Sequence, residues 1–121
     1  MEKIRMAPDI IPATRLEVYD VVNPEGEDMG QVQNFMVDLN TGRIPFVVVV
    51  FGGTLGLTDK WFAIPWELLG WRTRDRKFIL DLPREKLKKA PGIDKSKWPE
   101  EIDLAWLENV YVYFGCSPYW C

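Results

Sequence analysis

The sequence predicts a mainly β fold: a small antiparallel β-barrel, followed by a short helix and by a C-terminal aromatic helix or tail. Three observations lead to this prediction. Short runs of β-branched and aromatic residues alternate with Gly, Pro and Asn turns between residues 15 and 82. Four consecutive valines at 47–50 are typical of a strand that is buried on both faces. Beyond residue 103 the apolar residues recur at helical spacing.

The chain is expected to form a single domain, because 121 residues are enough to bury a core of their own. We divide it into an N-terminal arm (1–14), a barrel (15–94) and a C-terminal aromatic extension (95–121). The arm shows no clear periodicity and contains two prolines. The extension is expected to pack on the barrel or on a partner.

The barrel is predicted to begin with two strands. Residues 15–22, RLEVYDVV, are rich in β-forming residues and predict the first strand. A turn follows in which Gly26 can take a positive φ. The second strand is predicted over 29–39. Its apolar residues change parity midway, which predicts a β-bulge near Gln33 or Asn34.

The next two strands surround a glycine-rich bend. A tight turn at 40–43, NTGR, leads into a third strand at 44–51, and a fourth follows at 60–66. The valine run at 47–50 does not alternate, so this strand is either central in the sheet or covered by a second subunit.

The bend itself, FGGTLGLTDKW, could be a phosphate-binding loop or a turn between strands. A phosphate-binding loop needs Gly-Lys-Ser/Thr opening a helix, whereas Lys60 is followed by Trp61. The dinucleotide fingerprint also fails, because Gly53 and Gly56 have no helix behind them, and Pro65 excludes a helix interior there. The bend is therefore predicted to be a hairpin turn.

The remaining elements are a hairpin and two helices. A last hairpin is predicted around residues 74–76, Arg-Asp-Arg, and a short helix over 83–90. Residues 93–103 are predicted to be irregular. In the final segment Asp103 is a good N-cap and Gly115 a good C-terminal cap, which favours a helix between them over a strand across VYVYF.

Composition excludes several classes of function. The chain has no histidine, so no imidazole acid/base catalyst and no Ser-His-Asp triad can be built. No segment reaches 18 consecutive apolar residues, and no signal peptide is recognisable, so a cytoplasmic location is expected. Cys116 and Cys121 are predicted to be inert thiols; a disulfide and a metal shared between subunits are the alternatives. No metal or cofactor site is predicted.

The net charge of −3 is unevenly distributed along the chain. Residues 72–97 hold ten of the fifteen Lys and Arg residues and four of the eighteen acidic residues, so this basic segment carries +6 and the remainder −9. Such an asymmetry can orient an anionic partner, or it can be an ordinary solvated face. Peripheral association with a membrane is also compatible with this uneven charge.

An ordered set of motifs resembles the PRC-barrel domain family. The matching features are G-E-x-x-G at 26–30, D-x-x-T-G-R at 38–43, the glycine bend and I-P-W at 64–66. The ending FGCSPYW is similar to the tail of stand-alone members. The resemblance covers roughly residues 14–94. The PRC-barrel family includes the cytoplasmic domain of the photosynthetic reaction centre H subunit and the C-terminal domain of a ribosome maturation factor.

The resemblance implies a docking or assembly module and not an enzyme, with no catalytic residue, metal or cofactor to carry over. We predict a cytoplasmic homodimer that docks on a larger complex, because the valine strand and the aromatic tail together exceed what one small barrel readily covers. The candidate partner-binding residues are the basic and aromatic ones of two segments: Arg72, Arg74, Arg76, Lys77, Trp106, Tyr111, Phe114, Tyr119 and Trp120. The aromatic ones could instead cover their own barrel.

Two other functions are alternatives. An RNA- or ribosome-associated adaptor would use the basic segment, but a pI near 5.0 and the lack of an aromatic-basic strand motif argue against nucleic acid as the partner. An enzyme would have to use carboxylates such as Asp38, Asp59 and Glu67, which are more often turn or capping residues.

Overall fold

The computed structural model describes residues 10–52, 56–98 and 102–120. Within them the fold is mainly β, with seven strands and two α-helices. The strands are β1 (Asp20–Val22), β2 (Asp28–Met36), β3 (Phe46–Phe51), β4 (Leu57–Pro65), β5 (Leu69–Arg72), β6 (Lys77–Leu80) and β7 (Gly92–Asp94). The helices are α1 (Arg84–Lys88) and α2 (Leu104–Phe114), and short 3-10 helices span Ala13–Val18, Trp66–Leu68 and Lys95–Lys97.

All seven strands belong to one sheet, in the order β5-β6-β1-β2-β3-β4-β7. The mainly β prediction is confirmed, but the sheet differs from a purely antiparallel, closed barrel in two respects. Strand β1 lies between β2 and β6 and runs parallel to β6. No hydrogen-bonded pairing joins the outer strands β5 and β7 in the described part of the chain. The chain crosses over after β4, which places the N-terminal strand in the middle of the sheet.

The predicted bulge in the second strand is confirmed. The register of β2 against β3 shifts between Val32 and Asn34, which pair with Val49 and Val48. The strand itself is shorter than predicted, because it ends at Met36. The residues after it belong to the turn before β3, and there the backbone N–H of Gly42 donates to the Asp38 carbonyl at 2.7 Å.

Two elements were predicted incorrectly. Residues 13–18 form a 3-10 helix and not the start of the first strand: the Arg15 N–H donates to the Pro12 carbonyl at 2.9 Å, and this local turn overrides the β preference of the side chains. Strand β7 lies in a segment predicted to be irregular. It is a three-residue edge strand that pairs with β4, too short to show alternation. Residues 1–9 of the predicted arm lie outside the described residues.

The glycine bend joins β3 and β4, which pair antiparallel, so the hairpin prediction is confirmed. The valine strand is central in the sheet, since β3 lies between β2 and β4. Val47, Val48 and Val49 are fully buried in this chain's own core, and Val50 is half-buried. Large aromatic side chains fill the space beside them, above all Phe46, Phe51 and Phe78.

The C-terminal helix is also confirmed. The Asp103 side chain accepts a hydrogen bond from the Ala105 N–H at 2.8 Å, and Gly115 ends the helix in the left-handed conformation with φ of 73°. These caps outweigh the β preference of the sequence VYVYF. One face of α2 is buried against the sheet: Leu107, Val110, Tyr111 and Phe114.

Candidate interaction surface

Two of the predicted partner-binding aromatics are core residues of this chain. Tyr111 is buried, and its hydroxyl donates to the Pro45 carbonyl at 2.5 Å. This hydrogen bond ties α2 to the residue that directly precedes strand β3. Burial, with a smaller contribution from neighbouring Tyr119, raises the pKa of Tyr111 to about 12. Phe114 is buried one turn further along and packs edge-on against Tyr113 at 5.1 Å between ring centroids. Neither side chain leaves enough surface to serve as a partner anchor.

Trp106 belongs to a chain of aromatic contacts that links α2 to the sheet. Its ring lies edge-on to Phe46, with centroids 6.4 Å apart, and edge-on to Trp98 at 5.9 Å. Trp98 in turn contacts Trp61 on β4 at 5.7 Å. Trp106 is therefore half-buried between elements of its own chain.

The last described residues fold back over the turn between β2 and β3. The Tyr119 hydroxyl donates to Asp38 Oδ2 at 2.7 Å, and the Arg43 guanidinium lies 4.8 Å from the centre of the Tyr119 ring. The hydrogen bond from Tyr119, together with one from the Asn40 N–H, lowers the pKa of Asp38 below its usual value. Trp120 packs edge-on against Tyr111 at 4.9 Å. The aromatic tail thus covers its own barrel.

This packing removes the reason for which the sequence predicted a homodimer. Both the valine strand and the greater part of the aromatic tail are covered within one chain. A dimer would therefore have to form through some other apolar surface.

The predicted basic residues of the β5–β6 hairpin are brought together at one turn, though they are not equally available. Arg72 forms an ion pair with Asp75 at 3.2 Å, and Lys77 forms one with Asp20 on β1 at 3.2 Å. Arg74 also pairs with Asp75, at 3.7 Å, but 90% of its side chain is exposed. Arg76 is exposed and has a positive φ of 57° at the end of the turn. The hairpin tip presents Arg74 and Arg76 to solvent.

Further along the basic segment, Arg84 and Lys86 make contacts with other parts of the fold. Lys86 Nζ donates to the Tyr113 carbonyl in the last turn of α2 at 2.7 Å, and lies 4.2 Å from the centre of the Tyr113 ring. The Tyr113 hydroxyl donates back to the Lys86 carbonyl at 2.5 Å. Arg84 forms an ion pair with Glu27 at 3.3 Å. The Lys86–Tyr113 contacts hold α1 and α2 together, and the Arg84–Glu27 pair joins α1 to the turn before β2, so these cations do not form a common binding surface.

An apolar cleft that the sequence did not predict lies between the end of β2 and the start of α2. Its volume is about 510 Å³, and its lining is mostly apolar: Met36, Val37, Asp38, Pro45, Phe46, Ile102, Leu104, Leu107, Tyr119 and Trp120. Two of its lining side chains are exposed, Val37 by 48% and Leu104 by 54%, and Leu39, which follows the lining residue Asp38 in the chain, is 93% exposed. We call the cleft and these three side chains the cleft face.

The cleft face escaped prediction because the second strand was expected to run to residue 39. In such a strand Val37 and Leu39 would share the core-facing side with Phe35. Since β2 ends at Met36, the two residues lie in the following turn, where Val37 is partly exposed and Leu39 almost fully exposed. No feature of the sequence alone marks where this strand ends.

A second cleft, of about 550 Å³, is more polar and is lined in part by Arg43, Glu67, Ser117 and Tyr119. Cys116 is a free thiol close to it. Burial, and secondarily the nearby Glu67 carboxylate, raises the pKa of Cys116 to about 11, so the thiol is protonated and a poor nucleophile at neutral pH. Cys121 and the Asp59 side chain lie outside the described positions. Among the described residues no group of three acidic or Cys side chains could hold a metal ion.

None of the helices in the described ranges is both long and apolar enough to cross a bilayer. The family comparison agrees with the fold. The model of the PRC-barrel domain matches residues 8–87, which extends from before the first 3-10 helix to helix α1. A comparison with curated proteins gives no match. The match covers well over half of the 121 residues and includes six of the seven strands, so the chain belongs to the PRC-barrel domain family.

Proposed function

We propose that this chain is a non-catalytic protein-interaction module of the PRC-barrel type, which self-associates and docks on a larger complex. The observation that carries the proposal is the cleft face. It combines an open apolar cleft with three exposed apolar side chains on a barrel whose other large apolar residues are mostly covered.

The position of these side chains supports an interaction role. Single exposed apolar residues are common on protein surfaces, whereas several around one apolar cleft mark an interaction site. Val37 and Leu104 both line the cleft, and Leu39 is two residues from Val37 at the tip of the same turn. If these side chains were buried against a protein, the favourable transfer free energy would be about 25 cal/mol for each Å² of apolar surface removed from water.

The chemistry of the candidate carboxylates favours binding over catalysis. Asp38 has a lowered pKa and is engaged by Tyr119 and by the turn backbone, so it is a poor proton donor near neutral pH. Glu67 lies in the polar cleft, but the thiol nearest to it has a raised pKa. No second activated group accompanies either carboxylate in the described part of the chain. The alternative, an RNA- or ribosome-associated adaptor, has less support, because Lys77, Arg84 and Lys86 make contacts within the chain.

We propose that docking on the larger complex uses the tip of the β5–β6 hairpin. Arg74 and Arg76 are exposed there, and exposed cations attract an acidic protein surface. Surface cations contribute little to stability, so they can be reversed without loss of the fold.

The proposal is tested by capture of partners from an extract of the native host on immobilised protein. Three variants are compared with wild type: Val37→Ser with Leu104→Ser, Arg74→Glu with Arg76→Glu, and Val112→Ser. Val112 is the matched control, because it is an apolar side chain that is 72% exposed and does not line the cleft. We expect the first or second variant to lose a protein that wild type and the control retain. Capture that is identical in all four samples would contradict the proposal.

A further inference from the structure

The C-terminal tail, residues 116–120, lies between the two clefts described above. Tyr119 is a wall of both clefts, whereas Ser117 belongs to the lining of the polar cleft and Trp120 to that of the apolar cleft. Accepting the interaction role proposed above, we infer that this tail is a strap that regulates the cleft face. It opens locally while the barrel stays folded, and its opening joins the two clefts into one groove.

Beyond the end of α2 the strap is attached to the barrel through side chains. The Cys116 N–H donates to the Tyr111 carbonyl at 2.9 Å, and this bond is part of the C-terminal cap of α2. Within the part of the chain that the structure describes, residues 117–120 make no backbone–backbone hydrogen bond. Such a segment can leave the surface without breaking a strand pairing or a helix.

Two aromatic side chains hold the strap closed. The Tyr119 hydroxyl donates to Asp38 Oδ2 at 2.7 Å, and the Arg43 guanidinium lies 4.8 Å from the centre of the Tyr119 ring. Trp120 lies edge-on to Tyr111, with ring centroids 4.9 Å apart. Tyr119 and Asp38 are half-buried and Arg43 is exposed, so water competes for both contacts of Tyr119 and each stabilises the closed strap only modestly.

One buried group opposes the closed strap. The Trp120 indole N–H is buried and has no hydrogen-bond partner in the described part of the chain. A donor of this kind gives up its hydrogen bond to water when the strap closes and regains it when the strap opens. The closed strap is thus stabilised by a few side-chain contacts and destabilised by one unsatisfied donor, which brings the open state within reach of thermal fluctuations.

Opening changes the surface that a partner meets. When Tyr119 leaves, the polar cleft of about 550 Å³ and the apolar cleft of about 510 Å³ lose their common wall. The apolar walls then continue towards Arg43 and Glu67, and the edge of Tyr111 that Trp120 contacts is uncovered. The closed strap therefore withholds part of the groove, and a partner that fills the whole groove binds the open state.

Opening is measured on the isotope-labelled full chain by NMR, as the exchange of the Trp120 indole proton in deuterium oxide. The signal is identified by its loss in Trp120→Phe. Tyr119→Phe should speed the exchange by about 10-fold, because a hydrogen bond to a carboxylate is lost from the closed strap alone. The matched control is Tyr113→Phe, which removes the hydrogen bond to the Lys86 carbonyl and should leave the exchange rate unchanged.

Access to the groove is measured by the fluorescence of anilinonaphthalene sulfonate, an apolar anion that suits apolar walls next to Arg43. A larger open fraction should raise the apparent affinity of this probe for Tyr119→Phe by up to about 10-fold, with Tyr113→Phe binding it like wild type. Adding Val37→Ser and Leu104→Ser to Tyr119→Phe should weaken the binding, because both side chains line the apolar cleft.

The outcomes separate this inference from the proposed function. Equal exchange of the Trp120 indole proton in Tyr119→Phe and Tyr113→Phe overturns the strap, because the proton then exchanges through unfolding of the whole domain. Faster exchange without tighter probe binding overturns the joining of the two clefts. If exchange and probe binding both behave as expected while capture from the host extract is identical in all the variants compared above, the strap stands and the proposed function fails.

Discussion

Replacement of Gly30 by alanine probes the closest approach between two strands of the sheet. Gly30 lies in β2, and a Cβ atom added there would be 2.1 Å from the Val50 carbonyl oxygen and 3.0 Å from the Phe51 Cα. Both atoms belong to the backbone of β3, so no side-chain rotation can relieve the contact. Ordinary contact at a Cβ begins near 3.4 Å, and the strands would have to separate by more than 1 Å locally.

The expected cost follows from this displacement. Overpacking of a well-packed core typically lowers the free energy of unfolding by about 1–3 kcal/mol, and a contact with backbone belongs at the upper end of that range. For a domain of this size the melting temperature should fall by roughly 4–12 °C. The result would explain, in physical terms, why the G-E-x-x-G motif ends in glycine.

Urea denaturation provides the assay, with Gly70→Ala as the control. Gly70 is also a strand glycine, but it is exposed, and an added Cβ would be no closer than 3.8 Å to Ile79. Alanine there should leave stability unchanged or raise it by up to about 1 kcal/mol, because the unfolded chain loses freedom. A Gly30→Ala variant with the same urea midpoint as Gly70→Ala would refute the close approach of β2 and β3.

Three further predictions concern the core and the C-terminal helix. Val48→Asp places an unpaired carboxylate in the centre of the sheet and should lower stability by several kcal/mol; melting within a few degrees of wild type would refute the buried strand. Tyr111→Phe removes the hydrogen bond to the buried Pro45 carbonyl and should lower the free energy of unfolding by about 1–3 kcal/mol, measured in urea at neutral pH. Because burial raises the pKa of Tyr111 to about 12 from 10.0, its contribution is complete below pH 10 and is lost as the pH rises through about 12. Wild type should therefore lose more stability than Tyr111→Phe over that interval, and equal losses would contradict the assignment.

Much of the fold could be predicted from local signals. The β2 bulge follows from a change of parity at Gln33 and Asn34, and the ends of α2 follow from Asp103 and Gly115. Each of these signals depends on neighbouring residues and on backbone preferences, which the sequence displays directly. The PRC-barrel resemblance independently implied a small, mainly β domain, and the family model matches residues 8–87.

The features that escaped prediction depend on distant parts of the chain. Strand β7 exists because β4 offers an unpaired edge, and Gly92 allows the Phe62 ring to approach within 2.7 Å of where a Cβ would be. The parallel pairing of β1 with β6 depends on the crossover after β4. No local sequence pattern indicates that β7 pairs with β4 or that β1 pairs with β6.

For the candidate interaction surface, the sequence could show which residue types are present but not which of them are exposed. The sequence showed aromatic residues near the C-terminus and basic residues around the β5–β6 hairpin. It could not show that Tyr111 and Phe114 are covered by their own barrel, because burial depends on tertiary packing. It placed Leu39 in a strand, although the turn hydrogen bonds of Asp38 hold that side chain in solvent.

The central position of β1 also determines the order in which the sheet can assemble. Strands β2, β3 and β4 follow one another in sequence and pair as neighbours, so this part can form from local contacts alone. The pairing of β1 with β6 joins residues such as Asp20 and Lys77, which are 57 positions apart, and closing so long a loop costs entropy before the contact is made. During synthesis the N-terminal strand can pair with β2 at once, but its pairing with β6 must wait for the second half of the domain to leave the ribosome. Until then β1 has one open edge, and this closure, like the other long-range contacts made by α2 and the tail, is expected to slow the folding of the domain.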